Sequence, residues 1–396
     1  MDSLRKKIYF ASDAHLGARF HKDPLAVEKR LVRWLDSIKD EAMAIYFLGD
    51  MFDYWYEYKY VVPKGFVRFL GKLAELSDNG VEIHIFIGNH DIWMFDYIPK
   101  EIGERIRASW GADELSLYGR FDFILAKDGT PKILEFNADT PTSLLEASVI
   151  QWQWKEDVFP ECDQFNGIHE GLVQSWKDIF PKKGEIHFAG ALENNEDTGT
   201  LQYLASTAME AGFSTRVLDM QALDLQNGRF FDPAGELVNR CFKLYPWEWM
   251  VDESPDGCLA EMEWLEPIWK LVMSNKAILA TLYELFPDSP YVLPCYLSRP
   301  RSGLFCKKPV FSREGHNVSV VDIRDWEEYV RIAETEGDYN TGAYVYQEYV
   351  EPTAYSGRYP VIGSWIIGGE AAGIGIRENR MEVTDNLSEF VPHIIG

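Results

Sequence analysis

At 396 residues, 46% hydrophobic and 26% charged, the chain has room for two or three domains and enough apolar side chains to bury their cores, which excludes a disordered polypeptide. No apolar run reaches the roughly 18 residues of a membrane span, and the opening "MDSLRKKIYFASD" is too short in apolar residues for a signal peptide, so the cytoplasm is the expected compartment. A net charge of −24 repels nucleic acid and suits cationic partners such as polyamines, or serves solubility alone.

The charge is uneven: 14 Lys+Arg stand against 16 Asp+Glu through Gly103, and 25 against 47 thereafter. Cys162, Cys241, Cys258, Cys295 and Cys306 form no CxxC pair and read as free thiols of a reducing compartment.

Residues 1–103 alternate strand and helix: "KIYFASD", then the amphipathic "DPLAVEKRLVRWLDSIKD", then "AIYFLGD", "KGFVRFLGKLAELSDNG" and "VEIHIFIGNHD". That order predicts a parallel βαβαβ layer. Each strand ends in metal-ligand residue types, Asp13 and His15, then Asp50, then Asn89 and His90, and carboxyl ends of parallel strands converge in space. Asp13 and His15 could hold one divalent ion, Asp50 could bridge to a second, and Asn89 could ligate it, the arrangement that clamps a phosphoryl group between two metals.

The segments "FASDAHLG", "FLGDMFDYWYEY" and "IGNHDIWMFDY" resemble the N-terminal half of the calcineurin-like metallophosphoesterases, specifically the UDP-2,3-diacylglucosamine pyrophosphohydrolases, over roughly residues 6–103. The resemblance implies a manganese-type dinuclear site. In that family the second half supplies three further histidines, two of them in a Gly-His-x-His segment. After His90 this chain has only His169, His187, His316 and His393, well separated, so Asp13, His15, Asp50, Asn89 and His90 are expected to be a vestigial site without hydrolysis.

A different pattern begins at Glu104. "SLYGRFDFILAKDGTPKILEFNADTPTSLLEAS" predicts a hairpin of strands 119–126 and 132–137, followed by a helix capped within "DTPTS". Alternation puts Arg120 and Asp122 on one face of the first strand, and Glu135 and Asn137 on one face of the second. Such a cluster suits magnesium with nucleotide phosphates, or is an ordinary surface salt-bridge hairpin. Lys276 stands before an apolar helix, and Lys308 lies on a strand before a loop with Arg313 and Gly315, a pair suited to clamping a polyphosphate. No GxxxxGK[ST] is present, which excludes a P-loop. Gln347 and Glu348 close a strand, and "GSWIIGGEAAGIGIREN" is an apolar hairpin leading to Arg377.

From about Ser109 onward, "SLYGRFDF", "LEFNADTPTSLLEA", "KLYPWEWM", "SNKAIL", "KKPVFSREGHNV", "YQEY" and "GSWIIGGEAAGIGIRE" together resemble the synthetase domain of the glutathionylspermidine synthase family, an ATP-grasp ligase. The resemblance implies that Asp122, Glu135 and Asn137 bind magnesium and that Arg120 contacts the transferred phosphate. It gives Lys276 and Lys308 the ATP phosphates, Gly315 the loop above them, and Gln347 and Glu348 the nucleotide. Arg377 would steady the acyl phosphate and the tetrahedral intermediate, and Glu196 and Asp197 would handle the amine.

The expected architecture is therefore α/β and α+β: a partial metallophosphoesterase-like layer over 1–103 and an ATP-grasp-like domain over 104–396. The two join between Ile102 and Arg107 without a Pro/Gly/Ser-rich linker, which reads as a chimera of two partial domains. The leading expectation is a carboxylate–amine ligase using ATP and Mg²⁺ to join a glutathione-like peptide to a polyamine or other amine. The alternatives are a phosphoesterase acting on a nucleotide-linked lipid precursor and a non-catalytic protein that binds ATP or metal.

Overall fold

The computed structural model describes residues 7–18, 21–48, 51–52, 66–86, 97–313, 315–324, 329–337, 343–380 and 388–396. The chain divides into two compact units, one of residues 1–100 with the short segments 297–299 and 342–344, the other holding the remainder.

In the first unit, β1 (Lys7–Ala11), α1 (Pro24–Ile38), β2 (Ala42–Leu48), α2 (Val67–Asp78) and β3 (Glu82–Phe86) follow one another as the periodicity predicts. The strands pair in parallel in the order β1-β2-β3. Leu31, Leu35 and Ile38 of α1 and Phe69, Leu73 and Leu76 of α2 recur at helical spacing and form one core with Tyr9, Ala11, Ile45 and Phe47 of the sheet. Their β1 neighbours Ile8 and Phe10, pointing the other way by the alternation of a strand, are exposed.

Helix α3 (Tyr97–Gly111), which belongs to the second unit from Glu101 onward, is continuous through the junction expected at residues 102–107. Ile102 and Ile106 pack in a core cluster with Ala189, Val238, Cys241 and Trp247. No linker is visible there because the chain is helical and contributes to a core. The hairpin β4 (Tyr118–Leu125) and β5 (Pro131–Asn137) follows as expected, and the next helix starts at Leu144, directly after "DTPTS".

The chain then runs through α4 (Gln151–Val158), α5 (Ile168–Ile179), β6 (Glu185–Gly190), α6 (Asn195–Glu210), β7 (Ser214–Asp219), β8 (Asp224–Gln226), β9 (Arg229–Phe231), β10 (Leu237–Val238) and β11 (Arg240–Leu244). Helices α7 (Trp247–Glu253) and α8 (Pro255–Cys258), strand β12 (Glu263–Leu265), and helices α9 (Lys270–Ser274) and α10 (Ile278–Leu285) come next. The last strands are β13 (Cys295–Tyr296), β14 (Gly303–Pro309), β15 (Ser319–Ile323), β16 (Tyr329–Glu334), β17 (Tyr344–Glu348), β18 (Tyr359–Ile367), β19 (Glu370–Asn379) and β20 (Glu389–Val391).

Three larger sheets result. One is parallel, in the order β12-β11-β6-β7; a second runs β13-β17-β14-β15-β16; a third is antiparallel, β20-β19-β18-β4-β5. The tight turn from β18 to β19 has two consecutive positive φ angles, at Gly368 (57°) and Gly369 (90°), a conformation that glycine adopts without steric cost. The main core is aromatic at its centre, where Tyr118, Trp176, Phe188, Phe242 and Trp365 stack or meet edge to face. Among the described residues no helix is long and apolar enough to cross a membrane, and the five cysteines are unpaired.

α1 begins at Asp23, whose carboxylate accepts from the Ala26 amide at 3.0 Å, with Pro24 pre-set for the first turn. α2 has no capping side chain of its own. Instead the buried Glu28 of α1 accepts from the amides of Arg68 at 2.9 Å and Phe69 at 3.3 Å, placing a carboxylate at the positive end of the helix dipole. Glu28→Ala should destabilise α2 by about 1–3 kcal/mol, read as at least roughly fivefold faster amide hydrogen exchange across Val67–Asp78; unchanged exchange would show that Glu28 is not its cap.

Candidate active site

The pairing of β4 with β5 sets Arg120 opposite Asn137 and Asp122 opposite Glu135, so the four polar residues meet on one face of the hairpin. Asp122 is buried and accepts from Arg120 twice, at 2.6 and 2.9 Å, and from Arg377 of β19 at 2.7 Å. Asn137 Nδ2 reaches Asp122 at 3.2 Å and Glu135 at 3.3 Å. Gly363 of β18 makes room for Arg120, since a Cβ there would lie 2.7 Å from Arg120 Cδ. The guanidinium carbon of Arg120 sits 5.7 Å from the Trp365 ring centre.

Strands β14 and β17 supply further side chains. Lys308 Nζ donates to Gln347 Oε1 at 2.7 Å and to the Leu134 carbonyl at 3.0 Å, while Gln347 donates to the Ile133 carbonyl at 2.8 Å. These bonds tie β14 and β17 to the backbone of β5. Lys276, just ahead of α10, pairs with Glu135 at 3.1 Å and donates to the Ser312 carbonyl at 2.6 Å.

The resulting cleft holds about 430 Å³. Its lining includes Arg120, Asp122, Glu135, Asn137, Glu196, Lys276, Lys308, Gly315, Gln347, Glu348 and Arg377, residues that span more than 250 positions of sequence. Asp197, the neighbour of Glu196 in α6, does not line it. Sequence reasoning missed Thr140, Thr142, Ser143 and Glu146, which also line the cleft. They lie in the connection after β5 and in the first turn of the following helix, where no strand period marks an inward face; the density of hydroxyls in "DTPTS" was the available signal. Arg313, in the loop before Gly315, reaches the Thr140 hydroxyl and the Glu248 carboxylate, the latter at 2.6 Å.

The candidate phosphoesterase residues divide differently. Asp13 and His15 follow β1 in left-handed backbone, with His15 Nε2 3.9 Å from Asp13 Oδ1. The turn that carries them is tied to the chain beyond β2 by Leu16 N donating to the Met51 carbonyl at 3.0 Å. Asp50, Asn89 and His90 lie outside the described residues. Among the described residues no three His, Cys, Asp or Glu side chains converge as a metal site. The cleft offers two carboxylates and one amide, Asp122, Glu135 and Asn137, all oxygen-bearing and within hydrogen-bonding reach through Asn137, and this hard donor set fits magnesium.

Five cations (Arg120, Lys276, Lys308, Arg313, Arg377) face five carboxylates (Asp122, Glu135, Glu146, Glu196, Glu348) across the cleft, within a chain of net charge −24. Burial opposes the charge on Glu135, yet Lys276 and Lys308 outweigh it and pull the carboxyl from its ordinary 4.5 down to about 2. Burial pushes Lys308 down. Arg377 is lowered chiefly by the neighbouring Arg120 charge. Burial works against Arg120 as well, but Asp122 more than compensates and holds it above its ordinary value. Cations crowded in this way gain from an incoming anion.

A cleft lined by lysines, arginines and oxygen donors has the chemistry to hold a polyphosphate together with a divalent metal. A family model for the glutathionylspermidine synthase preATP-grasp region matches residues 27–396, and the chain belongs to that family. It is 37% identical over 349 residues to the "Putative acid--amine ligase" of Haemophilus influenzae, covering 82% of this chain and 88% of that protein. Trypanothione synthetase of Crithidia fasciculata is 28% identical over 327 residues, 74% of this chain and 49% of its own length. The N-terminal segment is 64% identical over 113 residues to UDP-2,3-diacylglucosamine hydrolase of Porphyromonas gingivalis, 28% of this chain and 43% of the hydrolase. The chain thus spans about half or less of the last two relatives. The family match begins at residue 27, well ahead of the motifs that start at Ser109, and overlaps the hydrolase-like region.

The depressed Glu135 carboxyl carries a pH signature. Its folded value lies below the unfolded one, so its contribution to stability is complete above about pH 4.5 and is lost as the pH falls toward about 2. Across that window the melting temperature of the parent should fall more steeply than that of Glu135→Gln, whereas parallel curves would show that the pairing with Lys276 and Lys308 contributes nothing.

Proposed function

We propose that the protein joins the C-terminal carboxylate of a glutathione-like peptide to the nitrogen of a polyamine or another amine, at the expense of ATP. The observation that carries this reading is the convergence of Arg120, Asp122, Glu135, Asn137, Lys276, Lys308 and Arg377 in one cleft. Lys276 and Lys308 stand where they would neutralise ATP phosphates, and Gln347 and Glu348 beside them would lie along the nucleotide. Gly315 belongs to the loop that would cover the phosphates. Arg120 and Arg377 would align the acceptor carboxylate with the phosphoryl group and stabilise the charge that develops on it. The carboxylate oxygen takes the terminal phosphoryl group of ATP, releasing ADP. The amine nitrogen then attacks the acyl carbon, the carbon–oxygen bond to phosphate breaks, and the nitrogen gives up a proton. Asp122, Glu135 and Asn137 would hold magnesium, which when bound would neutralise charge on the phosphate oxygens.

Glu196 lies in the first turn of α6 on the cleft wall, where its carboxylate would attract a protonated amine. The acidic exterior draws the same class of substrate, so a polyamine is the amine that best suits both features. The widely spaced cysteines of the sequence, with no CxxC pair, suit a reducing compartment such as the cytoplasm.

A second reading, hydrolysis of a nucleotide-linked lipid precursor with Mn²⁺, is favoured by the N-terminal identity of 64%. Release of UMP from UDP-2,3-diacylglucosamine with Mn²⁺ is its test. In the ligase assay, purified protein with ATP, Mg²⁺, glutathione and spermidine should form ADP and an amide; no ADP above background with a panel of peptides and amines would overturn the first reading. Glu135→Gln removes a charge from the magnesium donor set and should lower turnover by about 10- to 100-fold with the fold intact. His15→Ala should leave turnover within a few-fold of the parent. Equal loss in both variants would mean that the working half has been assigned wrongly.

A further inference from the structure

Two buried ion pairs lie outside the residues that the proposed chemistry uses. Lys243 of β11 pairs with Asp139 at 2.6 Å, and Asp139 also accepts from the Trp247 amide at 2.8 Å. Lys270, at the start of α9, lies 3.6 Å from Glu266. All four residues are at most 4% exposed. Glu266 accepts from the amides of Leu117 and Tyr118, each at 3.1 Å, and so holds the entry to β4. Lys270 Nζ donates to the carbonyls of Tyr118, at 2.9 Å, and Ala138, at 3.0 Å.

Those two carbonyls sit at telling positions. Tyr118 is the first residue of β4, two before Arg120, and Ala138 is the residue that follows Asn137 at the end of β5. One ammonium group therefore clamps the hairpin at the end where Arg120 pairs with Asn137. The clamp is made by a group that is costly to bury. Burial pushes Lys270 down and Glu266 up, in each case against the charged form. An apolar pair of similar volume commonly fills such a place with no loss of stability, so keeping ions there points to a geometric task rather than to stability alone.

We infer that Lys270 is a positioning residue: by bonding the carbonyls of Tyr118 and Ala138 it fixes the β4–β5 register and thereby the spacing of Asp122, Glu135 and Asn137 for a magnesium–nucleotide ligand. This deepens the ligase reading of the same cleft. A donor set displaced by a fraction of an ångström binds its metal less well although the protein around it stays folded.

The test uses the full chain with Lys270→Met, Lys270→Arg and the charge-neutral pair Glu266→Gln/Lys270→Met. The probe is Mg²⁺ with a non-hydrolysable ATP analogue, followed by the thermal shift it induces, alongside ADP formation. The double variant should melt within about 3 °C of the parent without ligand, yet need at least about fivefold more Mg²⁺ for half of the nucleotide-induced shift and turn over at least about tenfold more slowly per folded molecule. Lys270→Arg, which keeps the donors, should recover most of both. A parent-like Mg²⁺ requirement in the double variant, or a deficit equal to its unfolded fraction, would overturn the role. Should the Met variants fail to fold, the pair Glu266→Gln/Lys270→Leu, which likewise removes the donors, takes their place with the same two readings. A parent that shows the nucleotide shift but forms no ADP with any carboxylate and amine overturns the ligase reading alone, and the Mg²⁺ requirement still decides Lys270; a parent with no shift overturns both.

Discussion

One carboxylate shared by two guanidinium groups organises the candidate site. Asp122 accepts from Arg120 on its own strand and from Arg377 on β19, with β18 running between the two strands. Buried charge of this kind persists only when its partners are held in place. The antiparallel order β19-β18-β4-β5 does this: it brings Arg377 over Asp122, sets Gly363 where Arg120 needs room, and puts Glu135 and Asn137 on the far side. The second sheet then attaches through Lys308 and Gln347, both bonded to the β5 backbone. Most of the cleft geometry follows from that one shared anion.

Charge is distributed at two scales. The chain as a whole is acidic, and the excess lies after Gly103. Within that acidic body the cleft gathers five cations among five carboxylates, so its lining is balanced in charge while the chain around it is strongly acidic.

The N-terminal unit has its own logic. Three parallel strands and two helices share one core, while Ile8 and Phe10 remain exposed on the opposite side of β1. Parallel sheets are ordinarily covered on both faces. The hydrolase match covers 43% of that protein's length.

Much of the architecture was legible in the residues. The period of "DPLAVEKRLVRWLDSIKD" and the alternation of "GRFDFIL" reflect local backbone geometry, and α1 and β4 formed where those patterns lie. Lysines beside loops and carboxylates two apart on strands identified the cleft residues for the same reason, since side-chain direction along a strand is set locally. The helix across residues 102–107 was missed because its apolar positions are sparse, and only packing against Val238 and Trp247 reveals their purpose.

Sequence by itself determined the element types, the hairpin faces and the family, because these rest on spacing of three or four residues and on motifs read along the chain. Tertiary structure decided which charges meet. Asp139 finds Lys243 across 104 positions, Asp122 finds Arg377 across 255, and Lys270 finds Ala138 across 132. No local period encodes such pairings; they arise when separate sheets close on a shared core and leave each buried ion within reach of one partner, because an ion without one could not remain buried.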